Sequence, residues 1–113
     1  MKIGVTSQNF KTITAHAGRT RRFLIYEQDS NGEPVMVDKL DLPKEMSMHE
    51  FRGENHPVDV VDVLITGGCG NGVEQRKASR GIKVIQTSEK SITAAVESCF
   101  KGLDLPPPEE HSH

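Results

Sequence analysis

The most constraining feature of this 113-residue chain is an apolar run that ends in a cluster of glycines. Residues 60–66 are almost all apolar and β-branched, which is typical of a parallel strand buried on both faces of a sheet. The run leads directly into the glycine-rich residues 67–72, where Asn71 with Glu74 resembles a helix-capping box. A strand, a glycine loop and a helix in this order predict an α/β fold whose ligand-facing loop lies at the carboxyl edge of the sheet.

The rest of the chain predicts four more strands and further helices. Alternating apolar residues indicate a strand at the start of the chain, and Asn31-Gly32 indicates the turn of a hairpin. Glycines at 81 and 102 should end two helices, the second of which carries an apolar stripe. The predicted strands are residues 2–7, 23–26, 35–42, 60–66 and 82–85, and the predicted helices are a short one near 46–51, one from 71 to the glycine at 81 and one from 92 to the glycine at 102.

The length and composition fit one small domain. Only 35% of the residues are apolar and Trp is absent, so aliphatic side chains must form most of the core. We expect a single cofactor-binding domain at residues 1–103 and a disordered, proline-rich tail at 104–113. No apolar stretch approaches the ~20 residues needed to cross a bilayer, and the first residues resemble a strand rather than a signal peptide. The sequence therefore predicts a cytoplasmic protein without a membrane partner.

The charge is small in total but uneven along the chain. A net charge of −2 does not indicate nucleic acid as a partner. No acidic residue precedes Glu27, whereas several basic residues do, including Arg19, Arg21 and Arg22. One end of the domain should therefore attract anions, although an ordinary solvated surface would give the same pattern.

The two cysteines have different settings in the sequence. Neither belongs to a C-x-x-C pair, so one chain cannot build a closed four-cysteine metal site. Cys69 lies in the glycine loop, close to the start of a helix, where a thiolate is favoured and can act as a metal ligand or a nucleophile. A small residue that merely fills space there is an equally good interpretation. Cys99 lies on the apolar stripe of the last helix and should pack as a small hydrophobic residue.

The glycine loop matches neither common phosphate-binding motif. Val73 stands where a Walker loop needs Lys and where the dinucleotide fingerprint needs its third glycine. Backbone N–H groups before a helix still favour an anionic ligand, because they carry the positive end of the helix dipole. The predicted ligand-binding residues of this loop are Gly67, Gly68, Gly70, Asn71 and Gly72.

Three histidines are candidates for this same edge of the sheet. His16 lies in the loop after the first strand, and it opens on the side of Cys69 if the first and fourth strands are neighbours. A neutral imidazole there can bind a metal. His49 and His56 flank a Met-containing segment that could cover the site, although each on its own is more typical of an ordinary surface histidine.

Together these residues resemble the dinitrogenase iron–molybdenum cofactor-binding family, which includes NifX-like and NafY-like carriers and the C-terminal domain of NifB proteins. The resemblance covers nearly the whole chain and implies a ribonuclease H-like three-layer α/β/α fold, with a five-stranded mixed sheet in the order 3-2-1-4-5. Two departures are Ala17, where the family often has an aromatic residue, and Cys69, which its glycine loop often lacks. The shared segments, in the same order, are residues 2–6, 16–19, 23–26, 61–70 and 80–84.

The resemblance implies a non-enzymatic carrier of an iron–molybdenum cofactor or a related iron–sulfur cluster, with cluster donor and acceptor proteins as partners. Cys69 and His16 would be the metal ligands, loop amides would bond the anionic cluster, and Arg19, Arg21 and Arg22 would balance its charge. With so few ligands per chain, a cluster shared by a homodimer is conceivable. Nitrogen fixation itself does not follow, because many members come from organisms without nitrogenase.

Two alternatives stay open at the level of sequence. The chain could be a small regulatory or interaction module that binds an anion or a partner protein, using the same glycine loop and basic residues. An enzyme with Cys69 as nucleophile and His16 as base ranks below it, because no residue is evident that would orient the imidazole.

Overall fold

The computed structural model describes residues 1–15, 20–47, 56–68 and 71–107, with only the backbone of residues 71 and 72. These parts of the chain form a five-stranded mixed sheet with two α-helices. The strands are β1 (Ile3–Thr6), β2 (Arg22–Gln28), β3 (Pro34–Asp41), β4 (Val63–Thr66) and β5 (Lys83–Gln86), and the helices are α1 (Asn71–Ala78) and α2 (Ile92–Phe100).

The strand order is β3-β2-β1-β4-β5, which confirms the predicted order. β1 is antiparallel to β2 and parallel to β4, and β5 is parallel to β4. The carboxyl ends of β1 and β4 therefore lie side by side at one edge of the sheet. The start of β2 lies at the same edge, since Thr6 is opposite Phe23.

Side chains alternate between the two faces of the sheet, and each face carries one helix. On the first face, Ile3 and Val5 of β1 and Ile65 of β4 pack under Ala95 and Val96 of α2. On the second face, a separate apolar cluster joins the sheet to α1 and the segment before β4; it consists of Phe23, Ile25, Val58, Val61, Leu64, Val73 and Ile82. The period-two pattern of each central strand thus divides the core into two layers.

The fourth strand is shorter than predicted. β4 begins at Val63, because Pro57–Val60 form a 3-10 helix instead of the first turns of the strand. Val60 is 57% exposed, so its apolar side chain adds nothing to the core. The short helix predicted near residues 46–51 is a 3-10 turn at Lys44–Met46, and the remainder of that prediction lies outside the described residues.

Both helices are followed by a glycine in the left-handed conformation, as predicted. Gly81 has φ +79 and Gly102 has φ +74. The start of α2 is capped by Ser91, whose Oγ accepts from the N–H of Ala94 at 3.3 Å. Within the described residues no helix is long and apolar enough to cross a membrane.

Residues 104–107, the start of the predicted tail, contact the body of the domain. Leu105 packs against the core under α2. The hydroxyl of Thr87 donates to the carbonyl of Pro106 at 2.6 Å, and the N–H of Ser88 donates to that of Pro107 at 3.1 Å. This segment is therefore attached at the carboxyl end of β5, and residues 108–113 lie outside the described part.

Candidate functional site at the carboxyl edge of the sheet

Buried threonines form the floor of this edge. Thr6 ends β1, Thr66 ends β4, and both are fully buried. Their hydroxyl oxygens are 2.9 Å apart, and each hydroxyl also lies within 3.5 Å of the carbonyl oxygen of Thr14. A hydroxyl can donate and accept at once, so these groups satisfy one another without a charged partner. We call Thr6, Thr14 and Thr66 the threonine floor.

The loop after β1 runs alongside the loop after β4. The N–H of Thr14 donates to the carbonyl of Thr6 at 2.8 Å, and the N–H of Gly67 donates to the carbonyl of Thr14 at 2.9 Å. A Cβ on Gly67 would lie 2.8 Å from Cα of Ala15, and one on Gly68 would lie 2.7 Å from the carbonyl oxygen of Ala15. Glycine is needed at both positions because backbone meets backbone.

The first two amides of the glycine loop are used within the protein. The N–H of Gly67 bonds to Thr14, and the N–H of Gly68 faces the hydroxyl of Thr66 at 3.5 Å. The sequence predicts these amides as contacts for an anion, whereas the structure gives them internal acceptors. Asn71 and Gly72 are the first residues of α1, where backbone N–H groups have no acceptor within the helix.

Four of the predicted site residues lie outside the described part of the chain: His16, Arg19, Cys69 and Gly70. Their assignments stay predictions. The described residues that immediately precede two of them, Ala15 and Gly68, are in contact at the edge described above.

Arg21 and Arg22 are at the predicted edge but are bonded to a carboxylate. Asp41, at the end of β3, accepts from Arg21 at 2.7 Å and from Arg22 at 3.1 Å through the same oxygen. The guanidinium of Arg22, followed by that of Arg21, lowers the pKa of the Asp41 carboxyl. The positive charge predicted here is therefore partly neutralised within the domain.

The loop that leads toward residue 16 is held by many short hydrogen bonds. Ser7 Oγ donates to the carbonyl of Thr12 at 2.7 Å, and the N–H of Gln8 donates to Oγ1 of Thr14 at 2.6 Å. A guanidinium N–H of Arg22 donates to the carbonyl of Gln8 at 3.0 Å. Phe10 adopts φ 59, a left-handed conformation uncommon for a bulky residue. The loop is thus specified by its own polar contacts.

His56 is a core residue and not a surface histidine. It is only 4% exposed, and its ring meets the ring of Phe23 edge-on at 5.5 Å. Its Nδ1 accepts from the N–H of Val58 at 3.1 Å, so the proton of the neutral ring is on Nε2, which lies 2.7 Å from the carbonyl of Met46. The predicted surface position of His56 is therefore wrong, whereas His49 and most of the segment predicted to cover the site lie outside the described residues.

Burial of His56 should make the domain less stable in mild acid. Desolvation lowers its pKa, with a smaller opposing effect from its bond to Met46. The unfolded chain then takes up the proton near pH 6.5 while the folded chain does not, so stability is complete above that pH and falls below it, by at most about 1.4 kcal/mol per pH unit. Urea denaturation from pH 7.5 to 5 measures this slope.

The matched variant is His56→Asn, which retains an acceptor for the N–H of Val58 but cannot be protonated. It should be less stable than the wild type at pH 7.5 and should lose part of the acid slope. If the free energy of unfolding falls with pH equally in the two proteins, the acid sensitivity arises from groups other than His56.

The family of the chain follows from a comparison with known families. A family model described as dinitrogenase iron–molybdenum cofactor matches residues 1–102. The chain belongs to this family. A comparison with curated proteins finds no match.

Solved structures share the fold of this cofactor-family chain at low sequence identity. A dinitrogenase-like protein from Methanocaldococcus jannaschii has a TM-score of 0.62 at 15% identity, over 90% of this chain and 89% of that chain. A NifB-like protein from Thermotoga has 0.61 at 16%, over 89% and 88%. The apo form of the orange protein from Desulfovibrio gigas has 0.58 at 21%, over 96% of each. These similarities establish the fold of the chain.

Metal-binding groups are sparse in the described part of this cofactor-family chain. Residues 1–15, 20–47, 56–68 and 71–107 contain no cluster of three or more His, Cys, Asp or Glu side chains. Cys99 packs beside the core under α2, as predicted, and burial raises the pKa of its thiol. A protonated, half-buried thiol is a poor metal ligand. His56 has both ring nitrogens in hydrogen bonds, so neither side chain is suited to bind metal.

Proposed function

We propose that this chain binds an iron–molybdenum cofactor, or a related iron–sulfur cluster or its precursor, and carries it between donor and acceptor proteins. The cluster is the cargo of the protein, and no reaction is catalysed. One observation carries the proposal: the loop after β1 and the glycine loop after β4 meet backbone to backbone at Ala15, Gly67 and Gly68.

This contact supports a shared site for the two predicted metal ligands. His16 is bonded covalently to Ala15, and Cys69 to Gly68, and consecutive Cα atoms are about 3.8 Å apart. The described residues that precede them, Ala15 and Gly68, are in contact at this edge of the sheet, which supports placing both ligands there. An imidazole and a thiolate are both suitable ligands for iron and molybdenum sulfur clusters.

The surroundings of the two ligands fit an anionic cargo. Gly67 and Gly68 provide the close approach of the loops, which leaves the amides of Gly70, Asn71 and Gly72 as proposed donors to the cluster. Arg19 would contribute positive charge, while Arg21 and Arg22 would share theirs with Asp41. Few ligands per chain suit a carrier, because the cargo must be released.

Two further assignments belong to the same proposal. A five-stranded sheet in the order 3-2-1-4-5 with a helix on each face supports the ribonuclease H-like three-layer class. The proposed site needs a reduced thiol at Cys69, which supports a cytoplasmic location, because thiols stay reduced there.

The proposal predicts that the anaerobically reconstituted protein binds iron and absorbs visible light, and that Cys69→Ser and His16→Ala lower its affinity by about tenfold or more, as expected when a ligand is lost. Iron analysis and absorption spectra of the full chain measure both effects. Cys99→Ser is the matched control, since this second cysteine packs beside the core.

Three results would contradict the carrier proposal. The first is a wild-type protein that stays colourless and iron-free after reconstitution. The second is iron binding that Cys69→Ser and Cys99→Ser reduce equally. The third is a Cys69 that reacts rapidly with thiol-directed electrophiles but has no affinity for metal, which would favour the enzyme. If the wild type stays iron-free and Cys69→Ser changes neither its stability nor its binding of anions, the result would favour the regulatory module.

A further inference from the structure

The edge strand β3 carries consecutive exposed apolar residues. β3 is the outermost strand beside β2. Val35, Met36 and Val37 are 42%, 50% and 47% exposed, and side chains of neighbouring strand residues point to opposite faces. An exposed apolar edge strand is a template for pairing with another strand.

Backbone bonds show which groups of the second half of β3 point outward. The N–H of Leu42 donates to the carbonyl of Arg21 at 3.0 Å, so this pair faces β2. Because bonded and non-bonded pairs alternate in an antiparallel ladder, Asp41 and Lys39 direct their N–H and C=O groups away from β2. In agreement, the N–H of Lys39 donates instead to the carboxylate of Asp38 at 2.8 Å.

The first half of β3 follows the same rule. The N–H of Asp29 donates to the carbonyl of Glu33 at 2.9 Å, so this pair faces β2. Pro34 and Met36 therefore direct their backbone groups outward. Pro34 has no N–H to donate, which is consistent with an outward position on an edge strand.

A bulge separates the two halves. Tyr26 pairs with Met36 but Ile25 pairs with Asp38, so Val37 is an extra residue in β3. The outward positions are therefore residues 34, 36, 39 and 41. Their spacing is symmetric about the peptide between Val37 and Asp38.

We propose that β3 pairs antiparallel with β3 of a second copy of this chain, about a two-fold axis between Val37 and Asp38. Met36 then bonds Lys39 of the second copy, and Pro34 bonds its Asp41 through the proline carbonyl. The N–H of Lys39 then exchanges its bond to the exposed carboxylate of Asp38 for a bond to Met36 of the second copy, and the carboxylate is left in water. The two sheets join into one, and this inference is independent of the proposed function.

The bulge selects a second copy over an unrelated strand. A regular strand offers outward groups at every second residue, so it cannot match Met36 and Lys39, which are three residues apart. A second copy has the same bulge and matches all four positions.

Charge selects the register. In the proposed pairing, Asp38 is opposite Val37, Asp41 is opposite Pro34 and Glu33 is opposite Leu42, so no like charges face each other. Moving the axis to Val37 would place Glu33 opposite Asp41, and moving it to Asp38 would place two copies of Asp38 together. Like charges directly opposite destabilise a strand pair.

Analytical ultracentrifugation of the full chain from about 1 µM to 1 mM tests the pairing. The wild type should form a dimer. Met36→Pro removes an outward N–H and leaves the ladder with β2 intact, so it should raise the dimer dissociation constant about tenfold or more. Val37→Asp should act in the same direction, because its carboxylate would be opposite Asp38 of the second copy and like charges directly opposite destabilise a strand pair. Val60→Asp is the control, because Val60 is similarly exposed but lies far from β3 in the chain.

Hydrogen exchange of the wild type provides a test that needs no variant. Exchange at the amides of Met36, Lys39 and Asp41 should slow as concentration rises, while the amide of Leu42 should not respond. A wild type that stays monomeric to 1 mM overturns the proposal. A dimer unaffected by Met36→Pro, or abolished by Val60→Asp, overturns it as well.

Discussion

Replacing Gly67 with Ala should destabilise the domain by about 3 kcal/mol and separate the two loops of the candidate site, since overpacking against rigid atoms costs this much. The added Cβ would lie 2.8 Å from Cα of Ala15 and 2.9 Å from the carbonyl oxygen of Thr14. Both are backbone atoms, and the Thr14 carbonyl also accepts the N–H of Gly67 itself. The clash therefore breaks the bond that joins the loops.

Gly81→Ala is the matched control for Gly67→Ala. Gly81 has φ +79, and a Cβ there meets nothing within 4 Å. This change should cost only about 1 kcal/mol, from backbone strain alone, and should leave cluster binding unchanged. Urea denaturation gives the free energy of unfolding of each variant, and iron retention reports on the site. Equal costs for the two variants would show that the loops do not depend on close approach at Gly67.

Gly67 also shows why the sequence alone assigns this loop incompletely. A glycine before a helix is favoured when amides bind an anion, and equally when two backbones touch. The residue type is the same in both cases, so only the position of Ala15 distinguishes them. The threonine floor has no sequence signature either, because it depends on the parallel pairing of β1 with β4.

The contact between Arg22 and Asp41 could not be predicted because of the bulge in β3. Near the turn, Tyr26 pairs with Met36, and the same register continued would place Arg22 opposite Leu40. The extra residue moves Asp41 into that position. Hairpin signals such as Asn31-Gly32 locate the turn, but a bulge further along the strand leaves no comparable mark.

The start of β4, in contrast, could have been predicted from the sequence. His56, Pro57 and Asp59 form a helix-start pattern, with Pro in the first turn and an acidic side chain that accepts from the N–H of His56 at 3.2 Å. The apolar residues at 60 and 61 favour a strand instead, because only Asp62 separates them from the apolar residues 63–65.

The same Asp59 carries the second large prediction: Asp59→Asn should destabilise the domain by about 3 kcal/mol, the usual cost of leaving a buried charge without its partner. Its carboxylate bonds Lys77 of α1 and lies 3.5 Å from Arg80. The side chains of Lys77 and Asp59 are only 9% and 14% exposed. Asparagine has the same shape but no charge, so the ammonium of Lys77 would stay buried and unpaired.

A second ion pair in the chain provides the control for this effect. Lys101 and Glu97 form the same kind of contact at 2.7 Å, but their side chains are 60% and 49% exposed. Glu97→Gln should therefore cause a much smaller loss of stability than Asp59→Asn, because water and salt screen an exposed pair. Similar losses for the two variants in urea denaturation would mean that Lys77 is solvated after the change.

The double variant Asp59→Asn with Lys77→Met separates the buried charge from the packing around it. If the loss in Asp59→Asn comes from the uncompensated ammonium, removing that ammonium should recover part of the stability, although the methionine makes no hydrogen bond. If the loss instead comes from the cap at His56, the second substitution recovers nothing, because Lys77 takes no part in that bond. Comparison of the single and double variants thus shows which contact of Asp59 stabilises the segment before β4: its ion pair with Lys77 of α1, or its capping bond to the N–H of His56.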